Sequence, residues 1–222
     1  MNRKLEIACF NAESALVAQQ AGADRIEFCA NMEVGGTTPS LSDFLTIKSK
    51  TDIPVYVMIR PRGGDFVYSN AHFEQMRNSI IQFKNVGANG FVFGILTANG
   101  EVDINRNKQL IQLADAVPCT FHKAFDAVLN PMDALQQLIL IGFKNVLTSG
   151  QQPTAMQGID LLKQLTNNAN NQINIMIGGS VRSNNIAELK QEIPSEWFHS
   201  SAILQGSAAD YDEVKNLKAK LV

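Results

Sequence analysis

Three joints in this chain are built alike. QQAGADRIEFC, KNVGANGFVFG and LILIGFKNVLTS each carry a helix-like segment to a glycine and enter an apolar run within a few residues. Glycine just past a helix end supplies the left-handed backbone that so short a turn requires, so each joint reads as a helix stop followed by a strand. Continued along the 222 residues, the pattern is an internal repeat of roughly 28 residues, the length of a strand, a helix and two loops.

Eight strands follow from it. They are Leu5–Cys9, Arg25–Cys29, Val55–Ile59, Phe91–Leu96, Cys119–His122, Asn145–Ser149, Ile173–Ile177 and Trp197–Ser200. Their apolar runs are short and nearly continuous, as parallel strands buried on both faces require. The segments between them carry the helical period. Phe73, Met76, Ile80 and Phe83 form one stripe closed by Gly87, and Asn130 with Pro131 reads as an N-cap and first helical residue. Asp210 with Glu213 has capping-box spacing ahead of Val214, Leu217 and Leu221. Alternation of this kind predicts an α/β chain folded as a single-domain (β/α)8 barrel over residues 1–222, with a hydrophobic content of 45% sufficient for one core. An open doubly wound sheet is the alternative, but the first loop, FNAES, lacks the glycine fingerprint of a dinucleotide site.

Charge and composition narrow the partners. The net charge is -2 without a run of one sign, which speaks against nucleic acid, and no apolar stretch is long enough to cross a membrane. Glu6, Asn11 and Glu13 interrupt any apolar core of a signal peptide, so the expected location is cytoplasmic. Three cysteines there are expected as thiols.

In a parallel barrel the loops after the strands form the active face. The stretch VYVMIRPRGGDFVY ends a buried strand with Arg60 and Arg62, which share a face if the chain stays extended and then flank the mouth with Met58. MIGGSVRSNN and HSSA, after the seventh and eighth strands, offer Gly178, Gly179, Ser200 and Ser201 where barrels often hold phosphate. Together these residues suit a small anionic ligand; the alternative is a tight turn with capping serines and a structural ion-pair layer with Glu6 and Glu27. His122, at the end of the fifth strand in TFHKAFD, is a candidate acid or base with Glu27, and Asp126 lies four residues on. His199 is expected to turn towards the helices by alternation from Ser200, and His72 to lie on the surface. Cys9 and Cys29 end neighbouring strands. Two thiolates suit a soft ion such as Cu(I), yet Glu6 and Cys9 are three apart, so both thiols face one cavity only if a strand bends; plain packing is the alternative, and is expected of Cys119. A divalent-cation site from Glu6, Glu27 and His122 is a weaker option beside the arginines.

LEIAC, AGADRIEFC, VGGTTPS, VYVMIRPRGGDFVYS, CTFHKAFD, VLTSG and GGSVRSNN before FHSSA resemble, in order and over nearly the whole chain, the copper homeostasis protein CutC family. The resemblance implies a cytoplasmic (β/α)8 barrel, a homo-oligomer, and copper handling with Cys9 and Cys29 as Cu(I) ligands. One departure is that relatives carry a longer, more basic segment after HSSA, whereas here ILQGSAAD leads straight to the last helix. The residues themselves favour a different activity: an enzyme that works on a small phosphorylated or carboxylated metabolite by acid–base chemistry.

Overall fold

The computed structural model describes residues 3–222. Eight parallel strands close into a barrel in sequence order: β1 (Lys4–Cys9), β2 (Arg25–Phe28), β3 (Val55–Met58), β4 (Gly90–Phe93), β5 (Cys119–Phe121), β6 (Asn145–Thr148), β7 (Asn174–Ile177) and β8 (Trp197–Ser200). β8 pairs back onto β1 with His199 opposite Glu6. The helices between them are α1 (Ala12–Gln20), α2 (Leu41–Lys48), α3 (Asn70–Asn85), α4 (Ile104–Ala114), α5 (Pro131–Ile141), α6 (Ile159–Ala169), α7 (Ile186–Glu192) and α8 (Tyr211–Leu221). Short 3-10 turns at Met32–Val34 and Lys123–Ala127 follow β2 and β5.

All eight expected strands form, and the glycines of the three joints, Gly22, Gly87 and Gly142, have φ of 91°, 79° and 105°. A side chain there would be strained, which is why glycine marks the repeat. The stripe Phe73, Met76, Ile80 and Phe83 is buried, and the Asn130 side chain accepts from the amides of Met132 and Asp133 ahead of α5. Asp210 caps α8 through the Glu213 amide, but Glu213 does not complete a capping box. Its carboxylate instead takes the Ser183 amide and hydroxyl at 2.7 and 2.6 Å, tying α8 to the loop before α7.

Several strands stop short of the expected ends, at Phe28, Met58 and Phe93. Single bonds from Cys29 to Cys9 and from Ile59 to Val92 carry the ladder one step beyond those ends. Outward residues such as Leu5, Ile7, Ile26, Phe91 and Phe93 pack under the helices in the main apolar layer, while Tyr56, Met58, Val92 and Cys29 form a separate inner cluster. Gly90 stands opposite Tyr56 because a Cβ there would meet the ring at 2.5 Å. After β8 the short segment folds back on itself, the Asp210 amide donating to the Ala202 carbonyl, and is pinned to the start of α1 by Asn11 and Ser14.

Candidate active site at the carboxyl end of the barrel

Alternation along β1, β2 and β8 sends Glu6, Arg25, Glu27 and His199 into the barrel, where burial leaves each of them to find partners inside. Near the floor, Arg25 Nε donates to Glu6 Oε2 at 2.5 Å, and its guanidinium lies between the Tyr56 and Trp197 rings at 4.1 and 3.9 Å from their centroids. Glu6 Oε1 meets His199 Nδ1 at 2.8 Å, leaving His199 Nε2 turned towards Glu27 Oε2 at 3.9 Å. His199 therefore lies inside the barrel, contrary to the sequence expectation. Trp197 and His199 share the inner face, and Phe198 packs outside.

The same burial acts oppositely on the two glutamates. It pushes Glu6 up, but Arg25 and then His199 outweigh it, and the carboxyl lies below its usual range. Glu27 has no cation hydrogen-bonded to it among the described residues, and its nearest, His199, stands 3.9 Å off. Burial raises it, His199 opposes, Glu6 adds, and it stands at about 7. His199 is lowered by burial but raised more by Glu27 and Glu6, so it holds its proton above the ordinary range. Glu27 Oε1 is buried with no hydrogen-bond partner among the described residues.

Above this layer opens a cavity of about 390 Å³. Glu27, His199 and Met58 line its base, His122 and Phe66 one wall, and Lys123, Arg182, Ser200 and Ser201 its rim. His122 starts the 3-10 turn by accepting the Ala124 amide on Nδ1 at 3.2 Å, and burial, with Arg60 adding, pushes its pKa down to about 3. Gly94 makes room for that ring, since a Cβ would come within 2.8 Å of Nδ1. Arg182 is held at the rim by the Ser200 hydroxyl at 2.9 Å and the Val181 carbonyl. Gly179 lines the cavity with φ of 102°, whereas Gly178 is packed against Leu147. Ser200 is spent on Val181, Arg182 and Ala202, and Ser201 faces the cavity.

The two arginines of the third loop part company. Arg60 lines the cavity and binds the carbonyls of Val34, Gly36 and Gly64, with Nε unpaired among the described residues. Arg62 does not share that face. β3 ends at Met58, so strand parity no longer applies, and Arg62 folds outward onto Asp65 and the Val67 carbonyl. Asp126 does not pair with His122 either. It takes the Thr148 hydroxyl, the amides of Ser149 and Gln151 and the Lys123 ammonium, bracing the turn after β5 against the loop after β6.

The cluster with metal-ligand geometry is Glu6, Glu27 and His199, whose donor atoms lie within 4.8 Å of one another, rather than one containing His122. Cys9 packs outward with Leu5 and Ile7, while Cys29 lies inside with its Sγ 3.6 Å from Glu27 Oε2. Burial and then Glu27 hold both thiols well above their usual pKa. As placed, the two sulfurs belong to different layers, and a two-thiol Cu(I) site would need the end of β1 to turn.

A closed parallel barrel with a charged cavity at the carboxyl ends of its strands defines the general class, a (β/α)8 barrel protein with a ligand-sized mouth. The chain belongs to the CutC family, whose profile matches residues 3–204. It is 47% identical to a CutC family protein of Photorhabdus laumondii over 90% of this chain and 79% of that one. It is 42% identical to the Homo sapiens copper homeostasis protein cutC homolog over 89% of this chain and 72% of that one. The crystal structure of the CutC protein of Streptococcus agalactiae superposes with a TM-score of 0.86 at 32% identity, covering 90% of this chain and 98% of that chain.

Proposed function

We propose that this protein serves copper homeostasis, the role its named relatives carry, and that its working part is the barrel mouth, acting on a small phosphorylated or carboxylated metabolite. The observation behind the second half is the Glu27 carboxyl, buried, half-ionised near neutrality and facing a cavity rimmed by Arg182, Lys123 and Ser201. A group poised near pH 7 is what proton transfer needs, and the cations at the rim suit an anionic substrate. His199, oriented by Glu6, is the second acid–base group of this reading. The test is calorimetric titration of the intact protein with inorganic phosphate and with small carboxylates. Binding that weakens about tenfold in Arg182→Ala supports the reading, and failure of all these anions to bind removes it.

Direct copper binding is the second reading, favoured by the family's name and by Cys29 within the barrel. Cys9 and Cys29 are then the Cu(I) ligands, in a cytoplasmic homo-oligomer. In an anaerobic Cu(I) titration, Cys9→Ser/Cys29→Ser should lose affinity. Undiminished affinity in that double variant sinks it.

A further inference from the structure

His122 is built differently from the acid–base pair beside it. Its ring is 3% exposed, and Nδ1 is committed as an acceptor to the Ala124 amide. An imidazole that accepts on Nδ1 carries its single proton on Nε2. Nε2 has no partner among the described residues, yet the side chain lines the cavity. Phe66, with its ring centroid 4.9 Å away, and the backbone of Gly94 hold the ring in place. Burial and the nearby Arg60 guanidinium both resist protonation, so the ring stays neutral at any physiological pH. A fixed, neutral, unpaired N–H in a residue that lines a cavity is a poor acid and a good hydrogen-bond donor. The group it fits is an oxygen that gains negative charge.

Glu27 lines the same cavity, and its Oε1 is likewise buried and unpaired among the described residues. One wall thus offers a donor without a proton to spare, and the base offers a carboxylate that can take one.

We propose that His122 is the electrophilic donor of a carbonyl–enol proton transfer, and that the ligand class of the cavity is a small anionic carbonyl compound with a hydrogen on the neighbouring carbon. This rests on the anion-binding reading given above. In the step, Glu27 removes the proton from the carbon next to the carbonyl. The C–H electron pair becomes the new C=C bond, the carbonyl π pair moves to oxygen, and the enolate oxygen accepts the His122 Nε2–H bond. Return of the proton from Glu27 to the same carbon re-forms the C–H bond as the enolate oxygen's electron pair restores the C=O, which completes the cycle with no co-reactant. The pairing of a carboxylate base with a neutral histidine electrophile is a known solution to this chemistry in other barrels.

The test uses the full chain labelled with 15N histidine, whose three histidines are distinguishable by single substitution. His122 should remain an uncharged Nε2–H tautomer from pH 5 to 8. Titration with 2-phosphoglycolate, whose planar carboxylate imitates an enolate, should move the His122 Nε2–H proton downfield. It should also bind roughly tenfold more tightly than inorganic phosphate, the margin of one hydrogen bond to a charged acceptor. His122→Phe should lose that margin, and His122→Gln, which keeps a donor, should retain part of it. A His122 that titrates in this range overturns the proposal. So does an unmoved His122 resonance while phosphate still binds, and in that case the anion-binding reading survives. If neither anion binds, both fall together.

Discussion

Glu6 and Glu27 sit on adjacent strands inside one barrel, both almost fully buried, and their chemistry diverges. Glu6 is closed on both oxygens, one by Arg25 and one by His199. Glu27 has a distant histidine, a thiol and an oxygen with no partner among the described residues. Burial alone therefore does not decide what a carboxylate does. A closed ion pair makes a girder, and an open one beside a cavity makes a proton carrier.

That contrast can be broken at its strongest point first. Arg25→Met leaves Glu6 buried without its cation and should cost about 3–5 kcal/mol in urea unfolding, followed by Trp197 fluorescence. A loss under about 1 kcal/mol, the scale of an exposed pair, would remove the distinction between the two layers. Next comes Glu27→Gln. The Glu27 pKa rises from 4.5 in the unfolded chain to about 7, so the folded state holds its proton more tightly. Its stabilising contribution is complete below pH 4.5 and declines as pH rises towards 7, by about 3 kcal/mol. The variant should flatten the stability profile between pH 5 and 8, relative to the parent, whereas Glu6→Gln should not. Glu6 runs the other way, its contribution being present above its unfolded pKa and lost as pH falls through the folded one.

Gly94→Ala should have a smaller effect, about 1–3 kcal/mol, by driving a methyl into the His122 ring. Its signature is a change in the His122 nitrogen shifts at a fold otherwise unchanged by circular dichroism. Last, Arg182→Ala should weaken phosphate binding about tenfold, the scale of a charge-assisted bond, while Arg62→Ala leaves it unchanged. Equal losses in both would return Arg62 to the cavity side.

The barrel was legible because its punctuation is chemical. Gly22, Gly87 and Gly142 are needed for their backbone angles, and apolar runs such as LEIAC in β1 and VYVM in β3 cannot be surface. The site was legible only where a regular strand carries parity, as in the spacing of three that sets Glu6 and Cys9 on opposite faces of β1. It failed at Arg62, beyond the last residue of β3, where the direction of a side chain depends on loop bonds to Asp65 and Val67. His199 was misread because its inward turn is fixed by its register against Glu6, 193 residues away in sequence, a fact no local window contains. Asp126 fell between the two cases. Its spacing from His122 was visible, but its partners lie on the next loop, at Thr148, Ser149 and Gln151.

The stack of Tyr56, Arg25 and Trp197 occupies the barrel interior beside Glu6, on the floor side of the cavity. A guest seated under Arg182 and Lys123 stands between Glu27 and bulk water. Under the proposed chemistry, a proton lifted from that guest would stay with it until the guest departs. If the proposed proton transfer takes place there, hydrogen moved between guest and Glu27 should reach the product with little dilution by solvent, an isotopic memory written by a plugged floor rather than by any lid.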